Sequence, residues 1–487
     1  MNKLARLDHR FVWHPFTQMR DWLRHEPILI VRGKGAILED VHGKRYLDAN
    51  SSIWTNLHGH HHPQLNAAVR RQLNQIAHCS ALGLANEPAS RLAERLVKAA
   101  HIPLIPQTAN TSSPSPSVSG KFQNPALSKV FYSDDGSTAI EAALKLAYEY
   151  SRRAGRCRRP RFLSLEGGYH GDTIGAVSLG HIDLFHKTWN RLLFRTDPVM
   201  APYCYRCPFN RARPERADAR DYRKCRWECV ARVEQACDRQ KRRGEPYAGF
   251  VFEPLMQGAA GMIAQPPGWL ARVADIVQSH GTLLVADEVM TAFGRVAPAS
   301  SRTLLASHCE GVQPDLVALA KGLTGGYLPL AATLATQAVF DAFLGEYEEF
   351  RTFFHGHSYT ANPLGAAAAL ANLDLLTRSA TERARQRIEI TLRESLADLW
   401  TLPNVGDIRQ QGCVAGIELV RDWQKREPFG LTERAGIRVC EAMAANGVLT
   451  RPIGNVIVLM PPYCTTPKQV RRMVGVLHHA IRHAHPA

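Results

Sequence analysis

No run of about 18 uncharged apolar residues occurs in the chain, so no stretch reads as a membrane-spanning helix. The opening segment Met1–Arg10 lacks the apolar core of an export signal, and the expected location is the cytoplasm. Signatures of nucleic-acid binding are missing as well. The formal charge is +16, clustered at Arg152–Arg161 and from Arg206 to Arg243, but no helix-turn-helix, zinc-finger array or RNA-recognition motif accompanies it. Solvated basic surface is the preferred reading, with no nucleic-acid or membrane partner. Cysteine is sparse, at 11 in 487 residues, and without an export signal it reads as reduced thiol rather than a disulfide framework. What remains, 45% hydrophobic and 21% charged residues, fits a globular enzyme large enough for two domains.

The chain is organised around Pro314-Asp315-Leu316-Val317-Ala318-Leu319-Ala320-Lys321-Gly322-Leu323-Thr324-Gly325-Gly326, where a short buried strand delivers one lysine into a glycine-rich turn. Apolar surroundings lower a lysine pKa and free its amine to attack a carbonyl. A lone strand-ending lysine more often snorkels to water. A second strand, within Gly281–Val289, ends on Asp287, and open α/β sheets bind ligands outside the carboxyl ends of their strands. An acid for a pyridinium nitrogen and a lysine for an aldehyde are what pyridoxal phosphate requires. Ser133-Asp134-Asp135-Gly136-Ser137-Thr138, directly before a helical pattern, offers amides and hydroxyls to a phosphate, although Ser and Asp also cap ordinary helices.

Along the chain, Asp40–Asp48 reads as a hairpin turning at His42-Gly43, and helices are expected from Pro63 and over about Pro88–Ala99. Residues of about 107–128 form a Ser/Pro-rich insertion too polar to order itself. A second, basic insertion over about 200–243 contains Cys204, Cys207, Cys225 and Cys229. The spacing could close a tetrahedral zinc site, but one pair departs from the commoner two-residue gap. Free thiols on a surface loop are preferred, and no metal is counted among the site residues. After the helix from Gly365, residues 371–487 are expected to form a small α/β domain with strands at Gly416–Val420 and Val456–Leu459.

Trp13-His14-Pro15-Phe16, Ser51-Ser52-Ile53-Trp54, Gly168-Tyr169-His170-Gly171-Asp172-Thr173, Phe293-Gly294-Arg295, Phe354-His355-Gly356-His357-Ser358-Tyr359 and Thr450-Arg451-Pro452 complete a pattern. The chain resembles the class III aminotransferases, pyridoxal-phosphate enzymes of fold type I, from about Phe11 to its C-terminal helix. Within that group it is similar to the branch that makes 7,8-diaminononanoate from 8-amino-7-oxononanoate in biotin biosynthesis. The resemblance implies a large domain with a mostly parallel central sheet (61–370), a small α/β domain (371–487), and residues 1–60 serving the small domain and the active-site mouth. It also implies a homodimer with shared active sites.

The same resemblance assigns roles. Lys321 holds pyridoxal phosphate as a Schiff base and shuttles protons. Asp287 pairs with the ring nitrogen, Tyr169 stacks on the ring, and Gly136 and Ser137 take the phosphate. Gly356, His357 and Ser358 match the segment that reaches the phosphate from the partner subunit. Arg451 holds the distal carboxylate of the oxononanoate, a bidentate task for which guanidinium is suited. Phe16, Ile53, Trp54 and Asp172 border the substrate, Arg295 matches a basic position near the same pocket, and Glu288 is structural. Two departures bear on the amino donor: family members carry tyrosine at Phe16 and tryptophan at Ile53. Phe16–Met19 and His355–Tyr359 resemble a branch that uses lysine in place of S-adenosylmethionine, so the donor stays open. The rivals are another class III ω-aminotransferase, of the 4-aminobutyrate or ornithine type, and a non-catalytic zinc-stabilised binding protein.

Overall fold

Runs of apolar residues build the central sheet in the computed structural model, which describes residues 1–101 and 126–484. Its seven strands in chain order are β1 (Leu127–Ser133), β2 (Phe162–Leu165), β3 (Asp197–Val199), β4 (Gly249–Phe252), β5 (Leu283–Asp287), β6 (Leu316–Leu319) and β7 (Ala331–Thr336). They lie in the order β1-β7-β6-β5-β4-β2-β3, and only β7 runs against its neighbours. Alternation with period two divides the two faces. Leu283, Val285, Leu316 and Ala318 pack with Ile140, Leu144 and Ala147 of the helix Gly136–Arg153. Leu284, Ala286, Val317 and Leu319 pack with Trp269, Leu270 and Val273 of the helix Trp269–Ser279. Burial on both faces is why these strands are continuously apolar. The expected α/β architecture of fold type I is present.

Most of the Ser/Pro-rich insertion lies outside the described residues, but Leu127 and Ser128, placed at its end, belong to β1. The hairpin at His42-Gly43 forms between Ile37–Asp40 and Arg45–Asp48, and Leu47 pairs with Val448 far along the chain. Beyond the helix Pro363–Leu376, an antiparallel sheet of Val405–Gln411, Val414–Asp422, Val456–Leu459 and Pro452–Ile453 packs under helices Ser379–Leu396 and Pro467–Ala484.

The basic insertion departs from the expectation of solvated surface. Arg211, Arg213, Arg226 and Arg239 are exposed, but other arginines point inward. Arg206 donates to Glu418 Oε1 from Nε at 2.9 Å and from Nη2 at 2.7 Å. Arg216 donates to the carbonyls of Leu402 and Val405, and Arg220 bridges Asp218 and the Gln410 carbonyl. Buried carbonyls and carboxylates need donors, and the insertion supplies them to the C-terminal sheet. The centre of this network is Arg409, buried between Asp407 Oδ2 (2.9 Å), Glu418 Oε2 (2.8 Å) and the Gly261 carbonyl (2.6 Å from Nη2). Tyr203 also donates to Glu418. Burial works against the Glu418 carboxylate, but Arg409 and Arg206 hold its pKa below the ordinary value. Arg409→Met should therefore destabilise the chain by about 3–5 kcal/mol, because it strands buried carboxylates. Urea unfolding measures this, and an unchanged midpoint would show that the network contributes nothing.

Candidate active site

β5 closes on Asp287, β6 leads to Lys321, and β1 leads through Ser133 into the turn before helix Gly136–Arg153. These ends and the Tyr169–Gly171 segment after β2 line one cavity of about 430 Å³, together with Trp54, Glu253 and Tyr327.

Lys321 sits at φ +44°, a left-handed conformation that costs a residue with a β-carbon about 1–2 kcal/mol. The surroundings enforce it. Asn372 Nδ2 donates to the carbonyls of Gly322 (2.8 Å) and Leu323 (2.9 Å), fixing the turn from below. The Lys321 Nζ lies 4.8 Å from the centroid of the Trp54 ring. Burial lowers its pKa below the ordinary lysine value, with Asp287 and Glu253 acting the other way.

Asp287 accepts a hydrogen bond from His170 Nδ1 at 2.7 Å through Oδ2, and from the Val289 amide at 3.1 Å through Oδ1. Burial disfavours charge on His170, but the hydrogen bond and the negative charge of Asp287 outweigh it and raise its pKa. Glu253, just after β4, lies beneath the same cavity. Burial pushes its carboxyl up to about 7, with His170 opposing and Asp287 adding to the rise. Neither His170 nor Glu253 was singled out from sequence. The usable signal for Glu253 was its position after a buried strand, since β4 neighbours β5. Glu288 has the structural part expected of it: it accepts from the amides of Ala306 (2.6 Å) and Ser307 (2.8 Å), away from the cavity.

The turn at Gly136 is built for close approach. Asp135 caps the helix by accepting from the Thr138 amide (3.0 Å), and the first-turn amides have no partners within the helix. A β-carbon at Gly171, where φ is +118°, would stand 1.9 Å from Ser137 Oγ; one at Gly136 would stand 2.7 Å from Val289 Cγ1. Ser137 Oγ accepts from the Asp172 amide at 3.0 Å, and Asp172 Oδ2 accepts from the Tyr169 hydroxyl at 2.7 Å. Phe16 stands edge-on to Tyr169 (ring centroids 6.5 Å apart), and Arg451 Nη2 is 3.4 Å from the Phe16 carbonyl. Phe16, Asp172 and Arg451 therefore form a connected rim outside the cavity lining.

Two residues expected at the site, Ile53 and Arg295, lie outside the cavity lining. Ser51–Trp54 forms a left-handed turn, with φ of 47°, 48°, 64° and 69°. Asp48 accepts from the Ser52 amide (3.1 Å) and hydroxyl (3.1 Å), and Trp54 Nε1 donates to Asn50 Oδ1 (2.9 Å). This turn directs Trp54 into the cavity and leaves Ile53 44% exposed, outside the lining. Arg295 is fully buried, donating to the carbonyls of Asn56 (2.7 Å) and Pro461 (3.1 Å), so its guanidinium ties chain segments together and does not face the pocket. Gly356 and Ser358 do not line their own chain's cavity. His357 does not either, but its Nδ1 lies 3.3 Å from Asp134, which does.

Residues 19–481 match the family model described as aminotransferase class-III, and the chain belongs to that family. It is 45% identical to the adenosylmethionine-8-amino-7-oxononanoate aminotransferase of Geobacter sulfurreducens, over 97% of this chain and 96% of that one. The crystal structure of the enzyme of that name from Methanocaldococcus jannaschii superposes with a TM-score of 0.85 at 35% identity, covering 98% of both chains. An amine transaminase from an uncultivated Pseudomonas species, in a PLP-bound form, superposes with a TM-score of 0.82 at 31% identity, covering 97% of this chain and 98% of that one. Class III aminotransferases depend on pyridoxal phosphate, and the cavity fits that group. It holds a buried amine, a carboxylate backed by imidazole, an aromatic wall at Tyr169, and a helix start that β-carbons would crowd.

Proposed function

We propose that the chain transfers an amino group to 8-amino-7-oxononanoate, giving the 7,8-diaminononanoate of biotin biosynthesis, in a ping-pong reaction with S-adenosylmethionine or lysine as donor. The observation that carries the chemistry is a desolvated Lys321 amine sharing one cavity with Asp287. The acceptor follows from nearly full-length similarity to relatives bearing that activity in their names. Bound pyridoxal phosphate would supply a carbonyl for amine exchange and a ring that withdraws electrons.

With the group bound, Lys321 would hold it covalently, and its Nζ would be the base nearest the reacting carbon. Asp287 would hold positive charge at the ring nitrogen, and His170 Nδ1 orients that carboxylate. Tyr169, on the cavity wall, would pack against the ring. Gly136 and Ser137 seat the phosphate from one subunit, and Gly356, His357 and Ser358 reach it from the partner in a homodimer. Trp54 borders the acceptor, and Arg451, beside Phe16 on the rim, binds its distal carboxylate.

The test follows the visible absorbance of loaded enzyme mixed separately with 7,8-diaminononanoate, lysine and S-adenosylmethionine. Loss of the band with the diamine supports the acceptor, and whichever second amine also removes it is the donor. No response to the diamine, with a response to 4-aminobutyrate or ornithine, would establish the ω-aminotransferase reading, to which solved transaminases of equal structural similarity belong. For Arg451→Ala, losing a charge-assisted pairing of about 1.5–3 kcal/mol should raise the acceptor KM roughly 10- to 100-fold. The donor half-reaction should stay as it was. An unchanged acceptor KM would remove Arg451 from the pocket.

A further inference from the structure

The basic insertion brings its four cysteines to one place. Cys204, Cys207, Cys225 and Cys229 line a single small cavity with Asn210, Arg223, Trp227 and two prolines. Its free volume, about 10 Å³, is room for one small ion and excludes any organic ligand. The pairs come from separate segments, so their meeting is a product of the fold. Asn210 stitches these segments together: its Nδ2 donates to the Cys204 carbonyl (3.0 Å) and its Oδ1 accepts from the Lys224 amide (3.0 Å), next to Cys225. Its own amide donates to the Cys207 carbonyl at 3.1 Å.

The thiols are also furnished as ligands. Arg223 shares the cavity lining with all four cysteines. Four cysteines around one small cavity, beside an arginine, are an arrangement that a divalent cation can close, since a metal ion displaces the thiol protons. Four thiolates around a divalent ion would retain about two negative charges, and Arg223 with its basic surroundings answers them. Among the described residues no three His, Cys, Asp or Glu side chains already surround a metal position, so binding draws the sulfurs inward across the cavity.

We propose that Cys204, Cys207, Cys225 and Cys229 bind one zinc ion in tetrahedral thiolate coordination, closing the base of the insertion. The site lies apart from the Lys321 cavity, with no lining residue in common. Its part is structural: it fastens the segment whose Arg206 and Tyr203 grip Glu418.

The full chain, purified under reducing conditions after growth with added zinc, should carry about one zinc per chain, released by a thiol-specific mercurial. Exchange into cobalt(II) should give thiolate-to-cobalt charge-transfer absorption. Cys207→Ser and Cys225→Ser should each lose most of the metal and melt at a lower temperature. Zinc-free protein that takes up no zinc or cobalt under reducing conditions would overturn the proposal, as would zinc retained in full by both variants. A disulfide between any two of the four in reduced preparations would do the same. The cobalt spectrum of the unaltered chain decides the matter even where the variants do not fold.

Discussion

Lys321→Ala should lower turnover by roughly 10²–10⁴-fold or more, the scale set by removing a positioned proton-transfer group that also serves as the covalent attachment point. No neighbour can substitute. Among the residues lining the cavity Lys321 carries the amine, and the other ionisable groups nearby are carboxylates, two phenols and an imidazole committed to Asp287. Because burial lowers the Lys321 pKa, its uncharged fraction near neutrality exceeds that of a surface lysine. Replacing it with arginine, whose charge persists, should therefore restore nothing. The variant should still bind pyridoxal phosphate without a covalent link, since the helix start at Gly136 and the Asp287 carboxylate remain. Borohydride reduction followed by mass spectrometry tests attachment, and single-turnover mixing tests chemistry. Normal turnover by Lys321→Ala would remove this lysine from the mechanism.

Lys321 and Asp287 were legible in the sequence because parallel strands buried on both faces are continuously apolar, and a charge at the end of such a run marks the sheet rim. The Ser133–Thr138 turn was legible because helix starts have local chemistry, and Asp135 and Thr138 do form the cap. His170 was not, because what defines it is proximity to Asp287 across three strand connections, and Glu253 offered only its place after the strand that neighbours β5. A histidine in a Gly-Tyr-His-Gly run has no local sign that its Nδ1 will meet a carboxylate 117 residues away.

Charge was the poorest guide. A stretch dense in arginine reads as solvated surface until the fold supplies buried acceptors, and here Glu418 and the carbonyls of Leu402, Val405 and Gln410 do so. Arg295 misleads in the same way, since its acceptors at Asn56 and Pro461 lie on segments far apart in sequence. Ile53 and Trp54 are adjacent in sequence yet part company because of a left-handed turn. That conformation depends on Asp48 and Asn50 as acceptors, and periodicity carries no trace of it.

Asp287→Asn is the second large expected effect. The substitution keeps the shape and removes the charge that would face a cationic ring nitrogen, a preorganised electrostatic contact worth about 3–4 kcal/mol in enzymes where such groups have been deleted, or roughly 10²–10³-fold in kcat. His170→Gln should cost less, because it leaves the carboxylate in place and disturbs only its orientation and charge balance. The two losses should not add. With Asp287 already neutralised, the Nδ1 donor has little left to stabilise, so the double variant should be no slower than Asp287→Asn alone. The pH profile separates this from simple structural damage. His170 has a raised pKa through Asp287, so it is protonated to higher pH than a free imidazole, and Asp287→Asn should shift that ionisation downward. Titration of the His170 ring by nuclear magnetic resonance reads the shift directly. Additive losses in the double variant, with an unmoved His170 titration, would mean that the 2.7 Å contact does not couple the two side chains in the working enzyme.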